Sequence, residues 1–328
     1  MQSTDITVLR ETRQWLAAGH SVWLATVLKT YGSSPRQPGA MCAFREDGAL
    51  IGSVSGGCIE EDLKDKAMSG SLSENWFSFL TYGESVEERD RFRLPCGGTL
   101  ELIVERVTDP AWVTTVLEKI EQRQTVCRRL SLADGQSVIA PAKHLNKQVE
   151  KTHDQISFVY GPRARLLLIG AGETSRYLAQ MAMTLDYQVF IAEPREEMQL
   201  TWVPEDGELL AMMPDDAVVR LRPDSHTAII ALTHDPKLDD MALLEALKSD
   251  AFYIGALGSS RTNARRRERL TMFDLTPAQI ARLHGPVGLD IGSKTPAEIA
   301  VSILAQLIQL RQQQQQVGNP TIRAVSNG

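Results

Sequence analysis

The sequence predicts an α/β protein with two parts: an N-terminal mixed α/β module, then a Rossmann-like, doubly wound parallel sheet. Three observations predict it. Residues 161–312 alternate short apolar runs with helical periods, the pattern of a parallel sheet with crossover helices. At their start the apolar strand Arg165–Ile169 feeds Gly170-Ala171-Gly172, a helix from Tyr177 to Leu185 and a second strand, Val189–Ala192; Glu193 then stands about where a dinucleotide-binding fold places its ribose-binding acid. Residues 1–108, by contrast, mix strands, helices and loops rich in small residues.

Taken in order, Asp5–Ala18 carries Ile6, Leu9, Trp15 and Leu16 at helical spacing and is stopped by Gly19. Ser21–Lys29 reads as a buried strand, and Met41–Phe44 with Leu50–Val54 as a hairpin around Asp47-Gly48. Asp62–Met68 is helical; Trp76–Thr81 and Thr99–Glu105 are strands. Asp109-Pro110 opens a helix to about Gln122, strands at Thr125–Leu132 and Gln136–Ile139 flank Ala133-Asp134-Gly135, and Pro141–Gln155 is polar without an apolar period. The expected organisation is therefore a module over 1–108, a connecting region over 109–160, a Rossmann-like domain over 161–312 and a disordered tail over 313–328. Within the Rossmann-like part, Val218-Val219 is expected to be a short strand and Thr227–Leu232 a buried one. Asp239–Leu247 is a helix, Phe252–Ala256 a strand, and Thr262–Leu270 a helix whose Arg265, Arg266, Arg267 and Arg269 form mostly a solvated face. Pro277–Leu283 is short and helical, and Thr295-Pro296-Ala297-Glu298 is a capping box opening an apolar helix to about Leu310.

The candidate chemistry sits in small-residue loops. Gly52-Ser53-Val54-Ser55-Gly56-Gly57 ends at Cys58, where a helix begins; free amides at a helix start attract anions and lower a thiol's pKa. Arg93-Leu94-Pro95-Cys96-Gly97-Gly98 repeats the theme of a thiol beside paired glycines, with Arg91 just upstream, and Tyr31–Arg36 is a third such loop. Together they suggest one site for an anionic ligand that meets sulfur. A tight turn around a buried cysteine explains Cys58 equally well. Cys42, inside an apolar strand, and Cys127, with no glycine loop, are expected to matter less.

In a parallel sheet, ligands bind at the carboxyl ends of strands. Gly170, Gly172, His234, Gly258 and Arg261 would share that edge with Glu193. Ser175 replaces the third fingerprint glycine, and Glu173 would compete with a phosphate at the helix start, so a fold without a nucleotide stays open. His234 either faces the ligand or caps the next helix.

Composition narrows the class. The chain has 328 residues, 43% hydrophobic and 23% charged, ordinary for two globular domains. A net charge of −6 argues against a nucleic-acid binder, and no apolar run approaches the ~20 residues of a membrane span. The first residues lack secretory-signal features, and four cysteines without a CxxC pair make neither a zinc pattern nor a disulfide framework. A cytoplasmic location with reduced thiols is expected.

Tyr31-Gly32-Ser33-Ser34-Pro35-Arg36, Gly52–Glu60 and Leu94-Pro95-Cys96-Gly97-Gly98 resemble the N-terminal half of the XdhC/CoxI family, the xanthine dehydrogenase accessory proteins. Ile254–Arg261 and Leu283–Gly292 resemble its second half. The resemblance implies a maturation factor that binds molybdenum cofactor as molybdopterin or its cytosine dinucleotide form. It further implies sulfuration by a cysteine desulfurase, delivery to a xanthine dehydrogenase-type molybdoenzyme, and a homodimer. Cys58 and Cys96 would then meet the metal through the cofactor. Gly56, Gly57, Arg93, Gly97, Gly98, Gly170, Gly172, Glu193, His234, Gly258 and Arg261 would complete the binding surfaces. The competing class is an NAD(P)-dependent oxidoreductase using Gly170, Gly172 and Glu193, with His234 as acid.

Overall fold

A computed structural model describes residues 1–31, 36–72, 76–92, 98–142 and 148–316. It divides into two units, Met1–Pro162 and a second beginning at Arg163.

The first unit opens with α1 (Ser3–Ala17), β1 (Val22–Tyr31), β2 (Met41–Arg45), β3 (Leu50–Gly52) and α2 (Cys58–Met68). It continues with β4 (Phe77–Tyr82), α3 (Val86–Arg91), β5 (Thr99–Val107) and α4 (Ala111–Glu121). An antiparallel sheet in the order β3-β2-β1-β5-β4 is buried on both faces. Val22, Leu24 and Leu28 of β1 pack with α1 and α4, whereas Ala25 and Val27 pack with Ile59, Leu63 and Ala67 of α2. Two buried faces explain why β1 reads as a continuous apolar run rather than an alternation.

Residues 109–160 are not a connecting region. After α4 come β6 (Val126–Ser131), β7 (Ser137–Pro141), β8 (Val149–Lys151) and β9 (Gln155–Tyr160), a second sheet in the order β7-β6-β9-β8. Trp112, Val113, Val116, Leu117 and Ile120 form the apolar stripe of α4, and they share one core with α1, β1, Ile156 and Phe158. The two sheets of this unit are also joined through charge: Arg128 of β6 donates two hydrogen bonds to Glu105 of β5, at 2.7 and 3.1 Å, and both side chains are buried. The polar stretch resembles a linker in sequence because β8 buries only Val149.

The second unit is a doubly wound α/β domain. Its strands are β10 (Arg165–Ile169), β11 (Gln188–Ala192), β12 (Glu208–Leu210), β13 (Thr227–Ala231), β14 (Tyr253–Ala256) and β15 (Leu283–His284). All pair parallel, in the order β12-β11-β10-β13-β14-β15. The helices are α5 (Glu173–Thr184), α6 (Glu196–Gln199), α7 (Pro214–Leu221), α8 (Pro236–Ala246), α9 (Ser260–Leu270), α10 (Pro277–Ala281) and α11 (Pro296–Gln316). Leu166 and Leu168 face α5 and α11, while Leu167 and Ile169 face α7 and α8, the period of two a strand imposes.

Val218-Val219, expected as a strand, lies in α7. Pro214 stands at a first-turn position with Asp215 and Asp216 beside it, favourable chemistry at a helix start, and Val218 is buried while Val219 faces solvent. The helix α11 continues to Gln316, past the expected start of the tail, and residues 317–328 lie outside the described residues. Among the described residues, no helix is long and apolar enough to cross a membrane.

Candidate functional site

The antiparallel sheet gathers the small-residue loops at one end. Tyr31, the last residue of β1, is the register partner of Thr99, the first residue of β5. The loop after Tyr31 and the loop before Thr99 therefore leave from adjacent positions. Gly52 pairs with Cys42, which pairs with Ala25, so β3 runs toward that same end. Tyr82, the end of β4, pairs with Leu100 there too. Residues 32–35 and 93–97, hence Arg93, Cys96 and Gly97, lie outside the described residues, as does the side chain of Cys58. Gly98 is buried immediately before β5.

Cys58 is the first residue of α2, and Asp62 follows one turn on. The Asp62 carboxylate accepts from Tyr82 Oη at 2.8 Å, contacts Lys66, and lies 3.7 Å from the exposed guanidinium of Arg91. Phe92, at the mouth of the 93–97 segment, packs edge-on to Tyr82 with ring centres 5.0 Å apart, in the same cluster as Ile59 and Leu63 of α2. Phe92 is thus held in one apolar cluster with the helix that carries Cys58.

The sequence leads one to expect free amides in the loop before Cys58. They are not free. Glu60 folds back so that its carboxylate accepts from the backbone N–H of Val54 at 2.7 Å, Ser55 at 2.8 Å, Gly56 at 3.1 Å and Gly57 at 2.8 Å. The hydroxyls of Ser53 and Ser55 donate to it at 2.7 and 2.5 Å. Gly56 and Gly57 supply φ of 101° and 153°, which other residues rarely adopt, and this lets successive amides converge on one point. Burial pushes the Glu60 carboxyl up, but the hydrogen bonds from Ser55 and Ser53 prevail and hold it down near about 2. The amides expected to favour a Cys58 thiolate are therefore already neutralised by a resident anion. Sequence reasoning misses Glu60, although an acid at the third helical position is the return half of a capping box.

The low pKa of Glu60 fixes the sign of a pH effect. Its folded value lies below the ordinary 4.5, so its contribution is present above that value and is lost as pH falls toward about 2. Chemical unfolding across that window should show about 2–3 kcal/mol of stability disappearing, and Glu60→Gln should flatten the profile. An unchanged acid limb in the variant would refute this assignment.

Of the other cysteines, Cys42 and Cys127 are buried, and burial, with the Glu60 charge added, pushes the Cys42 thiol far up. Neither is placed to react.

In the second unit, Gly170 follows β10 with φ 98°, and a Cβ there would meet Thr233 Cγ2 at 2.7 Å. Gly172 caps α5 with open space beside it. Ser175 ties the helix to the glycine turn: fully buried, it donates to Gly170 O at 2.5 Å. Glu193 is enclosed by the fold. It is fully buried, accepting from the Ala171 N–H at 2.9 Å and from Arg195 Nε and Nη2 at 2.8 Å each, and these bonds hold its carboxyl below the usual range against burial. His234 is exposed, and Asp235 rather than His234 caps α8. Gly258 has φ 123°, and Arg261 is exposed on the first turn of α9.

Beneath these loops runs a buried polar network that corrects the reading of α9 as a solvated arginine face. Arg266 donates to Asp239 Oδ2 at 2.8 Å, to Leu257 O at 3.0 Å and to Asn263 Oδ1 at 2.8 Å. Asp239 in turn accepts from the Thr233 hydroxyl at 2.7 Å, and Asn263 donates to Gly258 O at 2.9 Å. Arg267 holds Leu283 O and Gly285 O, and Arg269 is paired with Asp240. The loops after β13, β14 and β15 are thereby tied together.

Two family models match the chain: the XdhC Rossmann domain over residues 166–307, and the XdhC and CoxI family over residues 15–83. The chain belongs to the XdhC/CoxI family. Among similar proteins of Escherichia coli (strain K12) is the molybdenum cofactor insertion chaperone PaoD, 28% identical over 94% of this chain and 90% of that protein. Another similar protein, from Bacillus subtilis (strain 168), is described as a probable xanthine dehydrogenase subunit; it is 28% identical over 88% of this chain and 92% of its own length. A crystal structure described as a xanthine dehydrogenase from Bacillus halodurans is similar with a TM-score of 0.71 and 26% identity, covering 97% of this chain and 98% of that one. The XdhC and CoxI match takes in the Tyr31 loop and Ser53–Glu60, and the XdhC Rossmann match takes in Gly170, Gly172, Glu193, His234, Gly258 and Arg261.

Proposed function

We propose that this chain binds molybdenum cofactor, supports its sulfuration by a cysteine desulfurase, and delivers it to a xanthine dehydrogenase-type molybdoenzyme in the cytoplasm. The observation that carries this reading is the convergence at one sheet end: the loops after Tyr31 and before Thr99 leave from paired residues, with Cys58 at the start of α2. Similarity to PaoD along nearly the whole chain supports it. The donor set suits such a group. Among the described residues no cluster of His, Cys, Asp and Glu could hold a bare metal ion, whereas a cofactor bringing its own sulfur ligands needs few from the protein. When bound, it supplies a thiolate-ligated molybdenum centre. Cys58 and Cys96 would meet the sulfur and metal end, and the Arg91 guanidinium, whose side chain is 72% exposed, would attract an anionic group.

Glu193 weighs against the NAD(P) oxidoreductase reading, because its carboxylate is already used by Ala171 and Arg195 and is not offered to a ribose. Purification from cells with and without cofactor biosynthesis, followed by molybdenum and pterin analysis, tests the proposal. Cys58→Ala with Cys96→Ala should leave the fold intact and lower the yield of active target enzyme at least about tenfold, since reacting groups tolerate little displacement. Full target activation by the double variant, or stabilisation by NAD(P) with no bound pterin, would overturn it.

A further inference from the structure

We propose that Glu60 is the positioning residue of the cysteine loop, a built-in anion that sets the loop to receive the cofactor by its sulfur and metal end and not by its phosphate. The inference rests on the molybdenum cofactor reading above.

A ring of amides at a helix start would ordinarily take a phosphate. Here the N–H groups of Val54, Ser55, Gly56 and Gly57 all point to Glu60, with the Ser53 and Ser55 hydroxyls. A phosphate could enter only by displacing a carboxylate that is 5% exposed, and Glu61 on the same first turn would repel it further. The loop is therefore closed to the phosphate end of a ligand. What the ring does instead is fix shape. Gly56 and Gly57 alone would leave the chain free to wander, and six hydrogen bonds to one side chain two residues past Cys58 define where its backbone sits. A support of this kind, behind a contacting residue and not itself touching the ligand, decides whether the contact is made at the right distance.

The test compares Glu60→Ala, Ser55→Ala and Cys58→Ala with the unmodified chain, each produced alongside cofactor biosynthesis. Molybdenum and pterin per protomer are measured after gel filtration, with circular dichroism to check folding. Glu60→Ala should retain at least about tenfold less molybdenum. Added acetate, whose carboxylate can seat in the vacated ring, should restore retention. Ser55→Ala removes one hydroxyl, which also accepts from the Ile59 N–H at 3.4 Å, keeps the four amide bonds to Glu60, and should fold normally while losing cofactor severalfold; it decides the matter if Glu60→Ala does not fold. Full retention in Glu60→Ala or Ser55→Ala, or a folded Glu60→Ala protein that acetate does not rescue, would overturn the proposal. Loss in Cys58→Ala with full retention in Glu60→Ala sinks this inference alone; full retention in Cys58→Ala sinks the site on which it rests.

Discussion

Arg266→Ala is expected to destabilise the second unit by about 3–5 kcal/mol, because removing one partner of a buried charge pair leaves the other uncompensated. The stranded groups would be the Asp239 carboxylate, the Leu257 carbonyl and the Asn263 amide, all close to Arg266 and two of them side chains buried almost completely. For a unit of this size the midpoint of thermal unfolding should fall by roughly 6–20 °C. Replacing both partners, Asp239→Leu with Arg266→Met, should recover part of the loss, since well-packed apolar residues often substitute for a buried pair at little cost. Scanning calorimetry on the single and double variants would decide. A single-variant cost below about 1 kcal/mol would mean the pair is better solvated than its burial indicates.

Arg128→Ala should have an effect of similar size, about 3–5 kcal/mol, in the first unit. Its guanidinium donates to both Glu105 oxygens and to Ser137 Oγ at 2.8 Å, while lying 3.7 Å from the centre of the Trp112 ring. The alanine variant loses the ion pair and the stacking together. Because Arg128 belongs to β6 and Glu105 to β5, urea unfolding followed by hydrogen exchange should show both sheets losing protection together. Selective release of β6–β9, with β1–β5 still protected, would mean that residues 109–160 are an appendage after all.

How much of this is legible in the sequence follows from how local each signal is. The run Arg165–Ile169 and its glycine turn stand out because a strand buried on both faces must be apolar throughout. The structure of 109–160 is hidden for the opposite reason: Ile156, Phe158 and Tyr160 alternate clearly, but their neighbour β8 contributes only Val149. Residue type misleads at Arg266. Asn263, Arg266 and Leu270 lie on one helical face, and Leu270 is fully buried, so the spacing points inward. Its partner Asp239, however, lies on another helix and nothing local announces it. At the cysteine loop, glycines and thiol draw attention, while the residue that organises them is the glutamate two places further on.

The order in which the chain is made gives one more meaning to α11. Gln306 on that helix accepts from both Tyr253 Oη at 2.5 Å and the Gly288 N–H at 2.8 Å, and Ala300, Ile303, Leu304 and Leu307 cover Leu166, Leu168 and Ile230. Every strand of the parallel sheet leaves the ribosome before this cover does. A nascent Rossmann unit must therefore wait, one apolar face without its α11 cover, in the state where half-made domains are most prone to stick to one another.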